Sequence, residues 1–280
     1  MMRAGVIGWP VTHSLSPLLH GYWLKQYGID GEMVRLPAQP GEFAAEIARV
    51  RREGFAGVNV TVPHKQAAFA IAGIHDRAAE ICGAANLLVF GKDGITGRNT
   101  DHIGLFQSLR ENLGEDTLAG KTVVLLGAGG AARGALLALD ELGVAQIHIL
   151  NRHQARAETL AHALALKLTA RLLPGPLESW AALASQAALL LNTTSAGMAD
   201  VPSLDLDLTG LPRSAPVCDI VYSPLETELL RSATARGHKT IDGLGMLMHQ
   251  AVPSFEAFFG VSPSVTSGLR AAMIQALDAT

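Results

Sequence analysis

Cysteine is nearly missing from this 280-residue chain, where Cys82 and Cys218 are the only two and lie far apart. That spacing excludes a disulfide framework and a cysteine zinc site, and it fits a reducing compartment. Charge is sparse as well. Asp, Glu, Lys and Arg make up 17% of the chain, the formal net charge is −3, and the basic residues form no runs. Nucleic acid is therefore not an expected partner. The 10 histidines are scattered without H-x-x-x-H spacing, so no metal is expected. Long apolar runs are absent too: the most apolar stretch, Ala181 to Leu191, is broken by Ser185 and Gln186 and is too short to span a bilayer. No membrane partner is expected. The N-terminus reaches Gly8 and Pro10 without the apolar core of a signal peptide, and the expectation is a cytoplasmic protein. There are no internal repeats or low-complexity tracts. What remains is a chain with 49% hydrophobic residues, long enough for one large or two modest α/β domains with a sizeable core.

The stretch Thr122 to Arg156 gives the clearest signal. Thr122-Val123-Val124-Leu125-Leu126 leads into Gly127-Ala128-Gly129-Gly130-Ala131-Ala132, which fits the G-x-G-x-x-A turn of a dinucleotide-binding βαβ unit. In such a turn Gly127 permits the tight exit from the strand. Gly129 lets the backbone approach a pyrophosphate, and Ala132 lets the next helix pack against the sheet. Apolar residues from Ala131 to Leu142 recur at helical spacing up to Gly143, a C-terminal cap, and the first amides of that helix would face the pyrophosphate. The next strand, Ile147 to Leu150, ends in Asn151-Arg152, where an enzyme for the unphosphorylated cofactor would place an acid against the ribose 2′-hydroxyl. Arg152, with Arg156 a helical turn later, suits a 2′-phosphate and hence NADP. A hydrogen bond to a charged group contributes about 1.5 to 3 kcal/mol, so each arginine could supply on the order of ten- to a hundredfold discrimination. The alternative is that both are solvated surface charges.

Elsewhere the chain alternates strand and helix. Ala4 to Gly8, Glu32 to Leu36 and Gly57 to Val62 read as strands, with helices from Pro17 to Gly28 and Gly41 to Arg52 between them. This predicts a parallel sheet whose ligand site lies beyond the strand C-termini. At that edge stand Ser14 and Ser16, Thr61 and Lys65. Ser16 could be an N-cap with Pro17 the first helical residue, or the two hydroxyls could hold a small carboxylate. Lys65 opens a helix, electrostatically the wrong end for a cation, which hints at function or at an ordinary exposed lysine. Ala85 to Phe90 and Ile95 to Arg98 predict a hairpin. Asp101 opens a helix, where an N-cap is its plain structural role. Further on, Leu168 to Leu173, Ala188 to Leu191 and Val217 to Val221 read as strands, Leu225 as a helix start, and Asp242 to Leu247 as a turn into a final helical region.

As a set, Ser14-Leu15-Ser16-Pro17, Asn59-Val60-Thr61-Val62-Pro63 with Lys65, Asn99-Thr100-Asp101, and Asp242-Gly243-Leu244-Gly245-Met246-Leu247 with Gln250 resemble the shikimate dehydrogenase family over nearly the whole chain. The resemblance implies two α/β domains flanking a cleft, the second a Rossmann-like NADP-binding domain: residues 1–101 plus 246–280 for substrate and 102–245 for NADP. It implies reversible reduction of 3-dehydroshikimate to shikimate with NADPH, by a monomer or homodimer. Lys65 and Asp101 become the catalytic pair. Ser14 and Ser16 would bind the substrate carboxylate, and Thr61, Asn86, Asp101 and Gln250 the ring hydroxyls, with Tyr222 also facing the substrate. Gly127, Ala128, Gly129, Gly130 and Ala131 would cradle the pyrophosphate. Asn151, Arg152 and Arg156 would take the adenosine phosphate end, and Ile220 and Gly243 the nicotinamide side. Hydride delivery to a ketone leaves negative charge on oxygen, so an ammonium at Lys65 is suited to protonate it. Three positions depart from the family pattern: His102 replaces Gly, Leu87 replaces Thr, and His153 replaces Thr. A quinate or quinate/shikimate dehydrogenase shares the Lys–Asp pair, and a ligand sensor on the same fold is the non-catalytic alternative.

Overall fold

A computed structural model describes residues 1–198 and 201–278. In chain order the elements are β1 Met2–Gly8, α1 Ser16–Tyr27, β2 Gly31–Pro37, α2 Phe43–Arg52, β3 Gly57–Val60, α3 Lys65–Ile71, β4 Ile74–His75, α4 Arg77–Cys82, β5 Leu87–Gly91, β6 Gly94–Arg98 and α5 Asp101–Leu113. Then follow β7 Thr122–Leu126, α6 Gly130–Glu141, β8 Gln146–Asn151, α7 Gln154–Leu164, β9 Arg171–Pro176, α8 Trp180–Leu183, β10 Leu190–Asn192, β11 Val217–Asp219, α9 Glu228–Ala235, β12 Thr240–Ile241, α10 Gly243–Phe259 and α11 Ser267–Asp278. The chain divides into two compact units, one of Met1–Asp101 with Met248–Thr280, the other of His102–Leu247. Among the described residues no helix is long and apolar enough to cross a membrane.

The first unit carries a six-stranded sheet in the order β2-β1-β3-β5-β6-β4. Its β2-β1-β3 part is parallel, but β5 runs antiparallel to β3 and to β6. The expected all-parallel sheet is therefore corrected to a mixed one. The hairpin accounts for the β5–β6 pair, because a two-residue reversal at Lys92-Asp93 can only return antiparallel, and β5 itself enters against β3 in the reverse sense. One face buries Ile7, Phe43, Ile47, Val58 and Leu88 in a common cluster. Alternation along β3 then turns Asn59 to the opposite face. In this unit α1 and α10 bring His20, Trp23, Phe255, Phe258 and Phe259 together with ring centroids 4.9 to 6.2 Å apart.

The second unit is a six-stranded, wholly parallel sheet in the order β12-β11-β10-β7-β8-β9. Counted from β7 and read from the other edge this is 3-2-1-4-5-6, the doubly wound order whose switch point lies between β7 and β10. Buried on both faces, its strands read as apolar runs rather than alternations, and Val124, Leu126, Leu150, Leu190 and Val217 pack into one cluster with Trp180.

Several expected boundaries move, for local reasons. Ser16 does not cap α1: it is the first helical residue, and Ser14 Oγ accepts from its amide at 3.3 Å. β3 stops at Val60 because the Thr61 carbonyl accepts from the His64 amide and turns the chain. The strand expected at Leu168 to Leu173 is displaced to Arg171–Pro176. Leu168 still bonds back to Leu164, and the Thr169 and Ala170 amides are both taken by Asp140 Oδ1 at 2.7 Å. The strands expected at Ala188 and through Val221 shorten to β10 and β11. α9 starts at Glu228 rather than Leu225, because the Thr227 side chain caps the Leu230 amide. Asp242 to Leu247, read as a turn, is already helical from Gly243.

Candidate active site

The hairpin places the polar groups of the first unit. Pairing of Leu87 with Arg98 sets Asn99-Thr100-Asp101 beside Asn86, whose side-chain oxygen accepts from the Thr100 amide at 2.7 Å. Asn99 closes the turn: its Nδ2 donates to the Ala84 carbonyl at 3.0 Å and its Oδ1 accepts from the Asp101 amide at 3.2 Å. Asp101 is thus the first residue of α5 with its own amide satisfied. Its carboxylate is not spent on a helix cap. Oδ2 accepts from Lys65 Nζ at 2.6 Å and Oδ1 from Asn86 Nδ2 at 3.0 Å. The pair is buried, with side-chain exposures of 13% for Lys65 and 5% for Asp101. An ammonium at the start of α3 opposes the helix dipole, and Asp101 offsets that conflict.

Asn86 is the hub. Its Nδ2 lies 2.9 Å from Thr100 Oγ1, 3.0 Å from Asp101 Oδ1 and 3.1 Å from Gln250 Oε1. A carboxamide nitrogen has fewer hydrogens than that, so a ligand hydroxyl can replace one acceptor without stranding a donor. Thr100 Oγ1 also donates to the Gln250 carbonyl at 2.9 Å, fixing that turn of α10. The sequence did not single out Thr100. It also gave no role to Asn59, whose buried amide has no hydrogen-bond partner on either atom among the described residues; an amide inside a strand pattern is the signal that was available.

Ser14 and Ser16 are both buried in the β1–α1 connection, and Thr61, half-buried, directly follows β3. The first unit thus brings Lys65, Asp101, Asn86 and Gln250 into one bonded group, with Ser14 just before α1 and Ser16 at its first position. Of the departures, Leu87 is fully buried in β5. His102 belongs to the second unit, with Nε2 3.9 Å from Glu141.

In the second unit the glycine turn leaves the C-terminal end of β7. Gly127 has φ +107°, a region that favours glycine, and a Cβ there would sit 2.9 Å from both Thr193 Oγ1 and Thr194 Cγ2. Gly129 is the N-cap of α6 and supplies no side-chain cap, so amides of Gly130 and Ala131 are available to an anion, with Ala128 in the same turn. Beyond β8, Asn151 Nδ2 donates to the His153 carbonyl at 2.9 Å. Arg152, His153 and Arg156 are exposed, and neither arginine has an ion-pair partner among the described residues. Donors of this kind fit a dinucleotide with an added phosphate.

Ile220 and Tyr222, both half-buried, follow β11, and Gly243 opens α10; directly before Ile220 stands a buried carboxylate that the sequence reading missed. Asp219 accepts from Asn192 Nδ2 at 3.0 Å, the Val221 amide at 3.1 Å and Thr227 Oγ1 at 2.8 Å. Burial pushes its pKa up while these donors pull it back. The signal was a charged residue inside the apolar run Val217 to Val221. Gly243 is required by contact: a Cβ there would run into the Ile220 carbonyl oxygen.

This sheet and turn place the chain among the α/β dehydrogenases. Residues 6–88 match the family model described as shikimate dehydrogenase substrate binding domain, and residues 108–199 the model described as shikimate / quinate 5-dehydrogenase. The chain is 49% identical over 274 residues to the shikimate dehydrogenase (NADP(+)) of Paramagnetospirillum magneticum, covering 96% of each. It is similar to the Thermus thermophilus shikimate 5-dehydrogenase solved with NADP(H) and shikimate, at TM-score 0.85 and 33% identity over 100% of this chain and 99% of that one. It is also similar to the quinate dehydrogenase of Corynebacterium glutamicum solved with NAD, at TM-score 0.88 and 29% identity over 98% of this chain and 99% of that one. The chain belongs to the shikimate dehydrogenase family.

Proposed function

We propose that this chain catalyses the reversible reduction of 3-dehydroshikimate to shikimate with NADPH, in the cytoplasm, on the route to chorismate and the aromatic amino acids. The observation that carries the reading is the buried Lys65–Asp101 pair, 2.6 Å apart and tied through Asn86 to Gln250. Ser14 and Ser16 hold the substrate carboxylate. Thr61, Asn86, Asp101 and Gln250 orient the ring hydroxyls. The glycine turn from Gly127 to Ala131 holds the pyrophosphate, Asn151, Arg152 and Arg156 the adenosine phosphate end, and Ile220 and Gly243 the nicotinamide side.

NADPH supplies the hydride. Lys65 donates a proton from Nζ to the carbonyl oxygen as the carbonyl carbon accepts that hydride, so C=O becomes CH–OH and Lys65 is left neutral. Charge developing on the oxygen is stabilised by the ammonium before transfer is complete. Asp101 Oδ2 accepts from Nζ at 2.6 Å and holds it in place. In the oxidising direction the same Nζ takes the proton back from the substrate hydroxyl as the hydride leaves.

The unpaired Arg152 and Arg156 and the NADP-linked relatives favour this reading over a quinate dehydrogenase using NAD. Initial rates with shikimate or quinate, each with NADP or NAD, decide between them. Turnover chiefly with shikimate and NADP is expected. A preference for quinate or NAD would overturn the substrate or cofactor assignment, and turnover in no pairing would favour a sensor.

A further inference from the structure

Arg35 lies on β2 opposite Val6 of β1, an exposed residue between half-buried Val34 and buried Leu36. Its guanidinium is nevertheless fixed. Nε and Nη2 both donate to the Ser14 carbonyl oxygen, at 3.1 and 2.7 Å. Two donors from one planar fork on a single oxygen hold the group in a defined orientation, which a lysine could not do. No carboxylate pairs with Arg35 among the described residues, and the acid on its own strand, Glu32, is engaged by Arg3 at 2.8 Å. Nη1 remains uncommitted. An arginine on a neutral carbonyl keeps its full charge available, and here that charge is anchored to the residue whose Oγ, in turn, accepts from the Ser16 amide at 3.3 Å.

Hydroxyls can orient a carboxylate but carry no charge to attract it, and the chain as a whole is net negative at −3. We infer that Arg35 is a specificity-determining residue that fixes the Ser14–Ser16 loop and supplies the positive charge selecting an anionic substrate. This rests on the reading of Ser14 and Ser16 as the carboxylate site. Arg35 is not catalytic, because it neither donates nor receives a proton in the reaction.

The test compares shikimate with its uncharged methyl ester as substrates of wild type, Arg35→Met, Arg35→Lys and the Ser14→Ala/Ser16→Ala double variant. For Arg35→Met, KM for shikimate should rise about ten- to a hundredfold, the worth of a hydrogen bond to a charged group. KM for the methyl ester should change far less, with kcat and KM for NADP near wild type. Arg35→Lys, which keeps charge but loses the fork, should fall between. Unchanged shikimate KM in Arg35→Met, or an equal loss for acid and ester, would overturn the inference. If the serine variant discriminates acid from ester while Arg35→Met does not, only the role of Arg35 fails. If neither variant discriminates, the carboxylate site itself is misassigned and the inference falls with it.

Discussion

Two buried ionisable residues show how differently a side chain can be held. Asp101 is 5% exposed and meets Lys65 at 2.6 Å, so replacing it by Asn leaves a mostly buried ammonium without its counter-charge. Such a broken pair costs about 3 to 5 kcal/mol, and the lower end applies because Lys65 retains 13% exposure. Asp101→Asn should therefore lower both kcat and the urea midpoint; a variant with unchanged stability would contradict the pairing. His20 has no hydrogen-bond partner among the described residues. Surrounded by Trp23, Phe255, Phe258 and Phe259, it is fully buried, and desolvation holds its pKa down to about 3 from 6.5. The unfolded chain binds a proton at His20 below about 6.5, whereas the native chain does not. Its contribution to stability is therefore intact above that range and is lost as pH falls from 6.5 toward 3, by about 1.4 kcal/mol per pH unit. A His20→Leu chain should lose that slope in urea melts across mildly acid pH. If it keeps the wild-type slope, the acid sensitivity belongs to another group. Sequence alone could place His20 in an apolar helix, but the rings from α10 that strand it come from more than 200 positions away, as the numbering of Phe255 shows.

Among elements, the glycine turn was legible because strand, turn, helix and strand occur in an order set by backbone geometry rather than by distant contacts. The Lys–Asp pair was not readable from spacing alone. Lys65 starts α3 and Asp101 starts α5, and the β5–β6 hairpin is what closes the interval. The start of α9 was misread because the Thr227 side chain, just outside the helix, decides it, whereas α1 opens at Ser16 with no side-chain cap. Thr227→Ala removes both a cap, worth about 1 kcal/mol, and a donor to buried Asp219 at 2.8 Å, whose loss costs about 1 to 3 kcal/mol. A combined loss of about 2 to 4 kcal/mol is expected in chemical denaturation. A change under about 0.5 kcal/mol, ordinary for a surface site, would show that the Asp219 network carries no load. Arg35 gave no signal in the sequence, since one arginine in a half-exposed strand looks like any other until its carbonyl partner is seen.

For the whole molecule, a formal net charge of −3 means that anionic ligands gain nothing from long-range attraction to the protein as a body. On the proposed reading their binding rests on local cations: Arg35 and Lys65 in one unit, Arg152 and Arg156 in the other. Raising ionic strength should accordingly raise KM for shikimate and for NADP while kcat changes little, because exposed arginines are screened and the buried pair is not. The doubly wound order of the second unit followed from alternation of apolar strands and helices, while the mixed sheet of the first needed the hairpin to be weighed against that alternation. On the proposed reaction Lys65 is the proton donor. The decisive measurement is kcat for reduction of 3-dehydroshikimate with NADPH in wild type and Lys65→Met, alongside calorimetric binding of shikimate to each. Loss of a general acid lowers kcat by about 10² to 10⁴ with shikimate affinity within a few fold. A kcat close to wild type would rule Lys65 out as the donor.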